Sequence, residues 1–168
     1  MFPEEIDRNI ILLDTLKTTN TVSFIGTPTP ETDTLSRFCH DQNLHLIVKG
    51  GALNEKMSVK DNQDCIQESI IAPSLQSEWQ VEHGYIPCRI FKNISYGKMG
   101  ITNNAFVNEL FDHKLLYDSD VTKCLSMGLD FERNVLDKKQ QLVPLMEFVK
   151  EKHTYLNRIE TILKFLGL

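Results

Sequence analysis

The sequence predicts a doubly wound α/β fold, a mainly parallel sheet covered by helices on both faces, with extra helices at the C-terminus. Three observations carry this. Short apolar, β-branched runs such as "TVSFIG", "LHLIVKGG" and "SIIAPSL" alternate with segments of helical spacing. Residues that start and stop helices stand between them. The 168 residues are 41% hydrophobic and 24% charged, ordinary usage for one domain with a sizeable core.

Taken in order, Ile6, Ile10, Leu13 and Leu16 give a helical stripe that begins after Pro3 and runs to Asn20. "TVSFIG" is a strand that breaks at Gly26. Thr29 as N-cap and Pro30 at the first helical position open a helix to about Gln42. "LHLIVKGG" is the second strand. Ser58 with Asp61 resembles a capping box and opens a helix through Cys65, which leads into the strand "SIIAPSL" with Pro73 near its end. Pro87 sits in the first turn of a helix "CRIFKNISY", and Gly97 is its left-handed stop. "KMGIT" is a brief strand, "NNAFVNELF" a helix, "KLLYD" a strand and "SDVTKCLSMG" a helix. The remainder, from "KKQQLVPL" onward, is helical, with Leu142, Leu145, Phe148 and Val149 on a face that Tyr155, Ile159, Ile162 and Leu166 continue.

Composition excludes several function classes. A net charge of −5 and a pI near 5.5 argue against a general nucleic-acid binder, which needs a clustered cationic surface; a local anion site stays open. The four cysteines contain no C-x-x-C pair and the five histidines no H-x-x-H or H-x-x-x-H, so no metal is expected. Scattered cysteines, an acidic "MFPEEIDRN" start and the lack of a run of about 20 apolar residues point to a cytoplasmic chain with no transmembrane segment.

Four stretches offer chemistry. In "FIGTPTPET" a strand ends at Gly26 and a helix follows, so backbone N–H groups near Gly26 and Thr27 can meet a phosphate, or the stretch is a plain βα turn. "LLYDSD" places Asp118 and Asp120 as a D-x-D pair for a divalent ion, or as caps of the next helix. In "PCRIFKNISYGKMG", Arg89 offers bidentate, charge-assisted contacts to phosphate and Lys92 a second positive charge; alternatively both are the solvated side of an amphipathic helix whose core face carries Ile90, Phe91 and Ile94. "HTYLNRIETIL" carries His153, Tyr155, Asn157 and Arg158 at a helix start, with no nucleophile at an informative spacing.

The order "PCRIFKNISYGKMGIT", "NELFDHKLLYDSD", "HTYLNRI" resembles the C-terminal half of glycosyltransferases of the spore-maturation type. Arg89, Phe91, Gly97, Leu110, Phe111, Tyr117, His153, Thr154, Tyr155 and Arg158 fit that family's pattern, and Lys92 stands where it has an acidic residue. The resemblance implies a Rossmann-like GT-B donor domain over residues 21–138, preceded by a hinge-exit helix over 1–20 and followed by C-terminal helices over 139–168 that pack on the domain or a partner. It implies a nucleoside-diphosphate sugar as ligand, held without metal or other cofactor, with Gly26 and Thr27 near phosphate, Arg89 as the principal anion contact, and Lys92, Asn93, Thr102 and Asn103 as further contacts. His153, Tyr155 and Arg158 take structural or interdomain roles, and Asp118 and Asp120 fall in a late turn as caps. No catalytic residue is assigned, since the family's acceptor-binding half, which usually supplies the base, has no counterpart in this sequence. That half, or a second copy of the chain, is the expected partner. A noncatalytic subunit domain is the competing expectation, and a metal-dependent transferase using Asp118 and Asp120 the third.

Overall fold

The computed structural model describes residues 1–50 and 57–167. Gly51, the last residue of "LHLIVKGG", therefore lies outside the described residues. Each element starts and stops for local reasons. α1 (Pro3–Leu12) has proline at its first position, and the Glu5 carboxylate accepts from the Phe2 N–H at 2.7 Å. It closes in a 3₁₀ turn, Leu13–Thr15, short of the expected Asn20, because Leu16 is already extended. β1 (Thr21–Ile25) leads to α2 (Pro30–Asp41), where the Thr32 hydroxyl accepts from the Thr29 N–H at 2.8 Å. Asn43, at φ 53°, makes the left-handed turn into β2 (His45–Lys49). Ser58 caps α3 (Val59–Glu68) by accepting from the Asp61 N–H at 3.0 Å.

α4 (Glu78–Glu82) is a helix that apolar spacing did not announce; Ser77 and Gln80 cap it reciprocally. In α5 (Cys88–Ser95) Pro87 is the N-cap rather than a first-turn residue, and Gly97 at φ 82° ends the turn as expected. β3 (Ile101–Thr102), α6 (Ala105–Leu110), β4 (Leu116–Tyr117) and α7 (Val121–Asn134) follow. α7 passes through Gly128, where the sequence pattern suggested a stop, because the missing Cβ is what lets the helix lie against Ile101. α8 (Lys139–Lys152) and α9 (Tyr155–Phe165) are separate helices, divided at His153 and restarted by Thr154, whose hydroxyl accepts from the Asn157 N–H.

The class is α/β, but the expected continuous sheet resolves into two short parallel pairs. β1 pairs with β2 from Thr21↔His45 to Ile25↔Lys49, and β3 with β4 at Ile101↔Leu116 and Thr102↔Tyr117. The "SIIAPSL" segment runs between them and touches each by one parallel bridge, Val22↔Ile71 and Ser74↔Thr102. Pro73 has no N–H to give, so a regular ladder cannot pass through it.

Main-chain bonds hold the segment at Ile70 N–H to the Thr21 carbonyl, Ser23 N–H to the Ile71 carbonyl and Ser74 N–H to the Ile101 carbonyl, at 2.7, 3.2 and 2.9 Å, and side chains add to them. Asn93 donates to the Ala72 carbonyl at 2.7 Å, Lys98 donates to the Ser69 carbonyl, and Asn103 both donates to the Gln76 carbonyl at 2.8 Å and accepts from its N–H at 2.9 Å.

Burial completes the layering. Val22 and Phe24 of β1 pack with Leu35 and Phe38 of α2 and with Leu125 and Leu129 of α7. Ile25 turns to Ile66, Ala72 and Tyr96. Ile6, Ile90, Ile94, Phe111, Leu145 and Val149 unite α1, α5 and α8 in a further core. α9 stands apart: none of its residues is buried.

Candidate functional site

The carboxyl end of β1 is where sequence expectation and structure meet. Arg89, in the first turn of α5, lays its guanidinium on the Phe24 ring, with Cζ 3.9 Å from the ring centre. The same group lies against Gly26: a Cβ there would stand 2.5 Å from Nη2 and 2.9 Å from Cζ. Glycine at 26 is thus what admits the cation.

Arg89 Nε and Nη1 are buried without a hydrogen-bond partner, and no carboxylate pairs with the guanidinium among the described residues. Burial lowers its pKa to about 10. A guanidinium that has lost water at Nε and Nη1 and found no counter-ion is costly, and an arriving anion would offset that cost.

Beyond its bridge to Thr102 at Ser74, the middle segment continues through Leu75. Gln76 follows directly. It is fully buried, and neither its amide nitrogen nor its amide oxygen has a partner among the described residues. Ser74 Oγ is buried and unpartnered in the same segment, as are Thr29 Oγ1 and Glu31 Oε2 at the start of α2. Gln76 escaped sequence reading; its one signal is that a polar residue closes the apolar run "SIIAPSL", at the end of a strand where α/β ligands gather.

The remaining expected contacts separate into three groups. Thr27 is exposed beside Gly26. Asn93, Thr102 and Asn103 are buried and used internally: the first and third pin the middle segment, while the Thr102 hydroxyl accepts from the Asn104 N–H at 3.2 Å. Lys92, His153, Tyr155 and Arg158 line a different groove, which Gly26 and Arg89 do not border. The charged pair expected along α5 is therefore split between two places.

Asp118 and Asp120 act as caps. Asp120 accepts from the N–H groups of Thr122 and Lys123 at 2.8 and 3.2 Å, and Asp118 accepts from the Asp120 N–H at 2.8 Å. Lys98 is the second residue that the sequence did not mark. It is 3% exposed, its ammonium bonds the Ser69 carbonyl, and burial pushes it down to about 8. No helix among the described residues is long and apolar enough to cross a membrane.

Compared with known proteins, the chain matches no family model, no curated protein and no solved structure.

Proposed function

We propose that the chain is a sugar-nucleotide donor domain, in which Arg89 binds the diphosphate of a nucleoside-diphosphate sugar for glycosyl transfer to an acceptor. The observation that carries this reading is the buried, unpaired guanidinium of Arg89 resting on Phe24 and Gly26. The Thr27 N–H and the start of α2 assist, since a helix N-terminus favours negative charge, whereas the Gly26 and Thr29 N–H groups are committed to the Lys49 carbonyl and the Thr32 hydroxyl. The parallel order β2, β1, middle segment, β3, β4 supports a Rossmann-like reading of the fold, with the ligand at the strands' carboxyl ends. The protein works in the cytoplasm without a metal, and transfer itself requires an acceptor-binding domain.

Calorimetry with UDP and GDP tests it. Arg89→Ala weakens whichever nucleotide binds by about 1.5–3 kcal/mol, the scale of a hydrogen bond to a charged group; unchanged affinity removes Arg89 from the site. A thermal-shift series over nucleotides and sugar nucleotides identifies the base and sugar.

The second reading, a noncatalytic subunit domain, is favoured by α9. Ile159, Ile162 and Phe165 are 51%, 58% and 90% exposed, an apolar face that fits an acceptor domain or a second copy of the chain. No stabilisation by any nucleotide, together with self-association abolished by Ile162→Glu in sedimentation, would favour it over donor binding.

A further inference from the structure

The groove that gathers Lys92, His153, Tyr155 and Arg158 has a chemistry of its own. It encloses about 370 Å³, within the range of small-molecule sites. Its rim is aromatic: the rings of Phe2 and Tyr155 meet edge to face at 6.1 Å and are 47% and 53% exposed. Its floor is Phe91, whose ring lies 4.6 Å from that of His153 and 5.6 Å from the Arg158 guanidinium.

Charge in the groove is unbalanced. Neither Lys92 nor Arg158 forms an ion pair among the described residues, and Lys92 is half-buried. The groove's carboxylate, Glu5, is already engaged by the Phe2 N–H at 2.7 Å and by the Met1 ammonium at 3.6 Å. His153 Nε2 is buried and unpartnered. Burial, then Arg158 and Lys152, hold the imidazole below its usual pKa, so near neutral pH the ring adds a hydrogen-bonding group rather than a third charge.

Aromatic walls with Lys92, Arg158 and the Met1 ammonium against one carboxylate complement a flat apolar molecule with one anionic end. A bare phosphate would leave the aromatic surfaces wet, and a neutral ring would leave Lys92 and Arg158 unpaired. We propose that this groove is a second ligand site, independent of Arg89, that binds a small aromatic carboxylate, its ring against the exposed Phe2–Tyr155 rim and its carboxylate toward Lys92 and Arg158.

The probe is 1-naphthoate, titrated into the full chain by calorimetry beside 1-naphthol and inorganic phosphate. Naphthoate binds at least about tenfold more tightly than naphthol, the scale of one charge-assisted contact. Arg158→Gln and Lys92→Gln each weaken naphthoate about fivefold or more, while Arg89→Ala leaves it unchanged. Cys88, an exposed thiol on the groove wall, gives a readout that needs no variant: naphthoate slows its alkylation by iodoacetamide, followed by peptide mapping, and leaves Cys65 unaffected. Equal binding of naphthol, displacement of naphthoate by equimolar phosphate, or naphthoate binding with no protection of Cys88 would each overturn the proposal. Because nucleotide binding is read at Arg89 and naphthoate at Lys92 and Arg158, either site can fail alone.

Discussion

Arg89 occupies the space that a side chain at Gly26 would need, with its guanidinium flat on Phe24. The two residues lie 63 positions apart in the sequence, and each gives the other its role: the glycine admits the cation, and the cation covers the end of β1. Gly26→Ala should therefore displace a movable side-chain end rather than collide with backbone. The expected result is a folded protein, destabilised by about 1 kcal/mol through loss of the cation–π contact, with nucleotide affinity lowered about tenfold because the anion contact has moved. Calorimetry paired with urea denaturation separates the two effects, and a variant with unaltered nucleotide affinity would break the link between this packing and binding.

Asn103 makes the opposite case. Both ends of its amide are committed to the backbone of Gln76, at 2.8 and 2.9 Å in a buried setting. Asn103→Ala strands a donor and an acceptor together and should cost about 2–4 kcal/mol. Nucleotide affinity per folded molecule should be unchanged. If stability holds and affinity falls, Asn103 belongs with the ligand contacts after all.

Lys98 gives a pH prediction with a definite sign. Burial lowers its pKa from 10.5 to about 8, so between those values the unfolded chain binds more protons than the folded one, and stability rises with pH there. Below about pH 8 both states hold the proton and the native state carries the full burial cost, about 3 kcal/mol. Denaturation midpoints for the wild type and Lys98→Met across pH 7 to 10.5 check this. The difference between the two curves should move in favour of the wild type as pH rises. A constant difference would mean that Lys98 is not perturbed.

For Asp120 the geometry predicts a stability role. Asp120→Ala removes the acceptor for two N–H groups at the start of α7 and should cost about 1 kcal/mol, whereas Asp120→Asn keeps most of the cap. Manganese should leave nucleotide affinity unaltered in all three proteins. Manganese-dependent binding that disappears in Asp120→Asn would restore the metal reading.

Local chemistry made much of the fold legible in advance. Pro3, Thr29 with Pro30, Ser58 and Gly97 mark helix ends because capping is decided within four residues, and "TVSFIG" and "LHLIVK" stand out by β-branched content. What stayed hidden depends on distance in the chain. Gly128 reads as a helix stop until Ile101 is known to pack against it, and "SIIAPSL" reads as an ordinary strand until its neighbours are known. At the site, Gly26 and Arg89 were each visible by residue type. That Lys92 faces another groove, and that Gln76 and Lys98 are buried polar groups, follows from packing alone. The break at His153 and Thr154 that separates α8 from α9 is also partly local: Thr154 is a good cap, but an unbroken apolar stripe masked it.

The middle segment has a bearing on how this protein tolerates change. An ordinary strand is held by main-chain groups, which every residue supplies, so its pairing survives almost any substitution nearby. Here main-chain bonds hold Ile70, Ile71 and Ser74, while the Ser69, Ala72 and Gln76 carbonyls rely on Lys98, Asn93 and Asn103. Single-codon changes at these three positions can therefore loosen the segment where an ordinary strand would offer only backbone, and relatives that keep this arrangement should preserve those side chains as strictly as any residue that touches a ligand.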